Sequence, residues 1–161
     1  MKLNLIALAA ASLMAAPAFA DGHAVDLTAT GDVEAGEKAF KQCVACHVVA
    51  DDEGNVLAGK RAKTGPNLYG LAGRAAGAVE KFKYSKSMVA AGEAGLIWNE
   101  ASFVPYVQDP TGNLREVLDD KKARGKMAYK VRKEEDAINL YAYLVSLGPD
   151  LEAATEEATT N

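Results

Sequence analysis

Both cysteines of the chain and one of its two histidines fall within five positions, Cys43, Cys46 and His47, in the stretch KQCVACHVVA. This spacing constrains the fold more than any other feature, because each chemistry open to it demands different surroundings. A disulfide between cysteines with two residues between them closes a very small loop and adds little stability. A redox dithiol of the thioredoxin kind needs a strand before its helix and an alternating βα pattern, and the sequence shows neither. Zinc needs further ligands at close spacing, yet the chain has no third cysteine and its other histidine is the distant His23. What remains is Cys-x-x-Cys-His, the attachment signature of c-type haem. On a helix, positions i, i+3 and i+4 share a face. Cys43 and Cys46 can then reach one edge of a flat macrocycle as thioether anchors, while His47 turns its imidazole under the ring as an iron ligand.

The first twenty residues fit that chemistry. Lys2 is their only charge, LNLIALAAASLMAA is an apolar run, and Ala18-Phe19-Ala20 places small residues before a cut ahead of Asp21. The expectation is an exported chain, residues 1–20 being a cleaved secretory signal peptide; an uncleaved membrane anchor is the competing reading. Export puts the protein in the periplasm, an oxidising compartment in which c-type haem is attached. Removing the leader leaves 141 residues, enough for one domain with its own core. The expected domain is 21–149. The tail DLEAATEEATTN (150–161) is acidic and without periodicity, and reads as disordered. Without leader and tail the chain carries 17 basic and 18 acidic residues, so the arrangement of charge says more about partners than the total.

The expected fold is all-α, a few helices and long loops. Residues 32–47 read as a helix capped by Asp32, with Val33, Gly36, Phe40 and Cys43 at three- and four-residue steps. The stretch from Asp51 to Gly70 is rich in Gly, Asn, Asp and Pro and reads as loop. A short helix is expected near Lys86–Ala91. Another covers roughly 100–108, with Ser102 preferred over Asn99 as its cap so that Pro105 falls in the first turn. The last helix, in KEEDAINLYAYLVSLGP, has acids in its first turn, Ala137, Leu140, Tyr141, Leu144 and Val145 along one face, and Gly148-Pro149 at its end. No run alternates well enough to be a strand. Loops this long in a small domain need something to organise them, and a large buried cofactor would do so.

The sixth iron ligand separates electron transfer from small-molecule chemistry: a second His, a Met or an open site are the usual options. His23 lies in the N-terminal segment and reads as an exposed histidine, and Met14 leaves with the leader. Met88, in YSKSMVAAG, reads as apolar packing. Met127 sits in the polar loop ARGKMAYK, where a filler methionine would be poorly placed, eighty residues after His47. It is the expected ligand, and a six-coordinate iron implies outer-sphere transfer of one electron rather than substrate binding.

At this point the sequence resembles a class I cytochrome c, specifically the larger bacterial cytochrome c2 type, over nearly all of residues 32–147. GEKAFKQCVACH resembles the family's first helix and haem site. KTGPNLYG resembles the segment whose proline carbonyl accepts a hydrogen bond from the proximal histidine, which implies Pro66 for His47. The resemblance further implies Arg74, Tyr84 and Trp98 as partners of a haem propionate and Tyr106 as the tyrosine near the methionine sulfur. Gly36 and Phe40 would pack against Leu140 and Tyr143 of the terminal helix. The connections from His47 to Pro66 and from Pro110 to Met127 are longer than in compact members, so the resemblance fixes no local fold for 50–60 and 111–124. Met88 also stands where compact members often carry a polar residue.

Seven bases, Lys121, Lys122, Arg124, Lys126, Lys130, Arg132 and Lys133, bracket Met127 with no acid among them. They would frame the haem edge, with Lys41, Lys60, Lys63 and Lys86, and steer the protein to acidic partner surfaces. The expected function is a monomeric, non-enzymatic carrier with one covalent haem c. By resemblance it would take electrons from a cytochrome bc complex and pass them to an oxidase, a photosynthetic reaction centre or a reductase. Neither nucleic acid nor a small-molecule substrate is expected. A ligand-binding or peroxidase-like haem protein with a labile sixth site is the alternative, and it turns on whether Met127 stays bound.

Overall fold

A computed structural model of the chain describes residues 25–150. The expected leader 1–20, His23, and all of the acidic tail except Asp150 lie outside the described residues. Five helices and one two-stranded hairpin follow in the order α1 (Val33–Phe40), β1 (Val48–Ala50), β2 (Val56–Gly59), α2 (Lys86–Glu93), α3 (Glu100–Gln108), α4 (Pro110–Val117) and α5 (Glu134–Ser146). No helix among them is long and apolar enough to cross a membrane.

Helix α1 starts as its sequence dictates. Asp32 is extended and its carboxylate accepts from the Ala35 N–H at 2.6 Å, while Glu34 faces the positive end of the helix. The helix stops at Phe40, seven residues short of the expected end. Beyond it the chain tightens into i→i−3 bonds, from Gln42 to Ala39, Cys43 to Phe40 and Cys46 to Cys43. Such tightening satisfies helix-end carbonyls while redirecting the chain. The three motif residues therefore sit on a succession of turns, not on a continuous helix.

The hairpin corrects the expectation of an unbroken loop. Val48 pairs with Gly59 and Val49 with Ala58, and a register shift follows before Ala50 meets Val56. Strands of three and four residues are too short to show alternation, and only Val49 is fully buried. The turn is held by Asp51, whose carboxylate accepts from the Asn55 backbone at 2.8 Å and side chain at 2.9 Å, with Gly54 at φ +86°.

Helix α3 corrects the expected cap. Asn99 is the N-cap, and with Ser102 it forms a reciprocal capping box, each side chain accepting the other's backbone N–H at 2.9 Å. Pro105 thus lies inside the helix. Its missing N–H leaves the Ala101 carbonyl without its helical donor, but Ala101 and Pro105 are both exposed, so water can take that place. The uncertain stretch after Pro110 begins as helix α4: Asp109 ends α3, caps α4 by accepting from Gly112, and is followed by Pro at the first helical position.

In α5, burial is broader than one face, since Ala142 and Tyr143 join Ala137, Leu140, Tyr141 and Leu144 in the core, while Val145 is only half-buried. Helix α1 lies across α5 with almost no spacing. A Cβ on Gly36 would fall 2.0 Å from the Asn139 carbonyl oxygen, and the rings of Phe40 and Tyr143 stand 5.5 Å apart. Buried Asn139 is satisfied there, its side-chain oxygen accepting from the Asp32 N–H at 2.7 Å. The two ends of the domain are joined at this crossing, and Phe40, Leu140 and Leu144 present their other surfaces to an internal cavity.

Candidate functional site

The turns after α1 place His47 by a 2.9 Å bond from its N–H to the Cys43 carbonyl, and Gly65 returns against them with its N–H on the Cys46 carbonyl at 2.7 Å. That return is possible only for glycine. A Cβ at 65 would lie 2.4 Å from imidazole Cε1 and 2.5 Å from Nδ1. The next residue supplies the partner: His47 Nδ1 and the Pro66 carbonyl oxygen are 3.0 Å apart. A carbonyl only accepts, so Nδ1 carries the proton and Nε2 keeps its lone pair free for a Lewis acid. Burial lowers the His47 pKa and the Pro66 bond works in the opposite direction. Burial prevails, favouring the neutral imidazole that can ligate.

The hairpin fixes this segment. Asn67 clamps Ala50, donating to its carbonyl at 2.6 Å and accepting from its N–H at 3.0 Å, and Leu68 N–H donates to Val48 at 2.9 Å. Arg74 closes the turn from the other side, with Nη1 on the Tyr69 carbonyl at 2.6 Å and Nη2 on the Asn67 carbonyl at 3.1 Å. The strands missed in the sequence are thus what steadies the Pro66 carbonyl.

One cavity of about 360 Å³ collects the predicted site residues: Cys43, Cys46, His47, Pro66, Arg74, Tyr84, Trp98, Tyr106 and Met127 all line it. Trp98 and Tyr106 pack as a tilted pair with centroids 4.9 Å apart, both buried. Phe82, which the sequence reading left out, stands edge-on to Tyr84 at 4.7 Å. Met88 is 6 % exposed and packs in the core, as its sequence context implies, but also touches the cavity. Gly65 was equally missed; the glycine directly before Pro66 is the signal that could have found it. Met127 is half-buried against the core, in a loop held to α3 by the Val131 N–H to Val107 carbonyl bond (2.9 Å) and to α4's cap by the Lys130–Asp109 ion pair (2.7 Å).

Burial pushes the Cys43 thiol up to about 11, with Cys46 adding to the rise, so Cys43 is a protonated thiol at neutral pH and not the low-pKa nucleophile of a redox dithiol. Tyr106 is pushed to about 12 by burial, with Tyr84 adding to it, and is a neutral donor. Among the described residues no three His, Cys, Asp or Glu side chains converge on a bare metal ion. A void of this size bounded by Phe, Leu, Val and Trp is foreign to a close-packed interior. With two thiols at its edge and an imidazole and a thioether in its walls, it fits a covalently held haem.

The comparisons agree with this fit. The family model Cytochrome c matches residues 33–148. The chain is similar to cytochrome c2 of Rhodovulum adriaticum, 63% identical over 119 residues, covering 74% of this chain and 94% of that protein. It is 53% identical over 146 residues to cytochrome c2 of Cereibacter sphaeroides, covering 89% and 95%. Among solved structures, cytochrome c2 from Rhodobacter sphaeroides superposes with a TM-score of 0.71 at 56% identity, over 73% of this chain and 96% of that one.

Proposed function

From the premise that the chain belongs to the cytochrome c family, as a class I cytochrome of the c2 type with one covalent haem c, we propose that it is a periplasmic one-electron carrier whose iron is held by His47 and Met127. It is an electron carrier and not an enzyme. The observation that carries the finer reading is that His47, with Nδ1 committed to Pro66, and Met127 line the same cavity.

The haem supplies a reversible one-electron couple, and imidazole–thioether ligation raises its potential relative to two imidazoles. The chain's own residues do the rest. Cys43 and Cys46 would hold the haem through thioether bonds. The Pro66 carbonyl fixes the His47 tautomer and increases its basicity. Arg74, Tyr84 and Trp98 offer donors to propionates, which would be costly to bury without them. The apolar walls from Phe40, Phe103 and Leu140 exclude water and keep rearrangement on electron transfer small.

If Met127 closes the sixth position, the reduced wild-type protein binds carbon monoxide slowly and weakly, while Met127→Ala binds it readily and has a lower reduction potential. High-spin iron or fast carbon monoxide binding in the wild type would replace this reading with that of a ligand-binding haem protein.

The bases of 121–133 flank Met127 along the chain, and Lys126 and Tyr129 reach the cavity. We assign this face to acidic partners: a cytochrome bc complex as donor, and an oxidase, reaction centre or reductase as acceptor. Steered encounters of opposite charge weaken as salt shortens the Debye length. The bimolecular rate with such a partner should therefore fall roughly tenfold between low and ~0.3 M salt, and a salt-independent rate removes the assignment. Export fits the leader-like residues 1–20, and the mass of the isolated holoprotein reports whether the chain is cut before Asp21.

A further inference from the structure

Along the chain the basic run 121–133 contains no acid, yet the fold brings one to it. The Lys130 ammonium meets the Asp109 carboxylate at 2.7 Å, with about half of each side chain still exposed. Asp109 is not free to turn away. Its backbone is held on both sides, its N–H donating to the Pro105 carbonyl at 3.1 Å and its carbonyl accepting from the Asn113 N–H at 2.8 Å. Its side chain is pinned by the cap of α4, where Oδ1 accepts from the Gly112 N–H at 3.2 Å and Oδ2 would lie 2.5 Å from a Cβ at that glycine. The Lys130 bond, the Gly112 N–H and the Arg115 charge hold its carboxyl below the ordinary aspartate range, so it is ionised at neutral pH. Lys130 itself lines an open depression with Gln108, Tyr129 and Arg132, and Tyr129 continues from there into the haem cavity.

We propose that Asp109 is an internal competitor for docking: its fixed carboxylate occupies Lys130 as the carboxylate of an acidic redox partner would, and so weakens the encounter at the depression beside the haem cavity. The proposal rests on the reading of this face as the docking surface for acidic partners. A carrier must leave its partner as readily as it arrives, and a lysine already paired adds less to a complex than an unpaired one. An exposed ion pair is weak, so an arriving carboxylate can exchange with Asp109. Charges at the rim of an interface act chiefly on the association rate and its salt dependence, and the effect is read there.

The test is stopped-flow electron transfer on the holoprotein with two small probes of opposite charge. Hexacyanoferrate(III), an anion, oxidises the reduced protein, and hexaammineruthenium(II), a cation, reduces the oxidised protein. Asp109→Asn keeps the helix cap and an acceptor oxygen but loses the charge. It should speed the anion reaction about two- to fivefold at low ionic strength, slow the cation reaction, and converge with wild type near ~0.5 M salt. In a Lys130→Gln background the gain should fall to about half or less. Glu34→Gln, which removes one acid from α1, should leave both rates near wild type. With a salt-dependent wild type, the competitor alone is overturned by any of four results: an unchanged anion rate in Asp109→Asn, both probes moving in the same direction as a merely structural tie would give, an equal gain with and without Lys130, or an equal gain from Glu34→Gln. A wild-type anion rate that does not depend on salt overturns the docking face itself, and the competitor with it.

Discussion

Gly36→Ala is expected to cost the holoprotein about 3 kcal/mol or more, placing it among the most damaging single-methyl additions available to a small domain. Two effects oppose each other. Alanine is the better helix former by ~1 kcal/mol, so on propensity alone the substitution would stabilise α1. The added Cβ, however, would lie 2.0 Å from the Asn139 carbonyl oxygen, 2.7 Å from the Asn139 carbonyl carbon and 2.7 Å from the Tyr143 Cβ. None of these is the far end of a flexible side chain. Relief requires moving α1 off α5, which loosens the Phe40–Tyr143 contact and the Asp32–Asn139 bond together. Denaturant unfolding followed by visible absorbance and far-UV circular dichroism measures the loss. A variant within ~0.5 kcal/mol of wild type would mean that the two helices do not meet this closely.

Gly65→Ala is expected to act on the site and not on a helix crossing. Gly65 has no positive φ, so the backbone would tolerate alanine; the conflict is entirely with the His47 ring, whose Nε2 a Cβ would approach to 2.7 Å and whose Cε1 and Nδ1 it would approach more closely still. Either the ring tilts or the 65–67 segment retreats, and both outcomes break the 3.0 Å Nδ1–Pro66 bond. Losing that bond leaves a partly buried N–H without an acceptor, worth about 1–3 kcal/mol. It also frees the tautomer that presents Nε2. The variant should be recovered with less covalent haem, and the holoprotein that does form should have a lower Tm and an altered reduction potential. An unchanged potential and Tm would show that the ring is not held by this contact.

The parts of the molecule legible in the sequence are those where chemistry or strong periodicity speaks locally. Cys43, Cys46 and His47 announce themselves by spacing, and α5 by three acids followed by a broad apolar stripe. Met127 was legible by contrast with its polar loop, and the structure brings it into one cavity with His47. The family resemblance supplied Pro66, Arg74, Tyr84, Trp98 and Tyr106, and those residues line the same cavity. What was not legible depends on cross-chain pairing. The strands 48–50 and 56–59 are too short to alternate, and their worth lies in the clamp between Asn67 and Ala50, a pairing no local pattern reveals. The cap of α3 was misread because Pro105 argued for a later start, whereas the Asn99–Ser102 box outweighed one missing bond on a solvent-facing turn. The early end of α1 has the same origin, since a helix yields where the chain must turn into a strand.

The crossing of α1 and α5 also orders events in time. A chain emerges from its N-terminal end, so the segment carrying Cys43, Cys46 and His47 is delivered long before Leu140 and Leu144 exist to close the cavity behind it. Until Tyr143 arrives, Phe40 has no ring to meet, and Gly36 has no backbone to lie against. The thiols are therefore presented on an open, unfinished strand of polypeptide, within reach of whatever machinery joins them to their macrocycle. The last helix acts as the stopper, because Leu140 and Leu144 complete this wall of the pocket only once it docks.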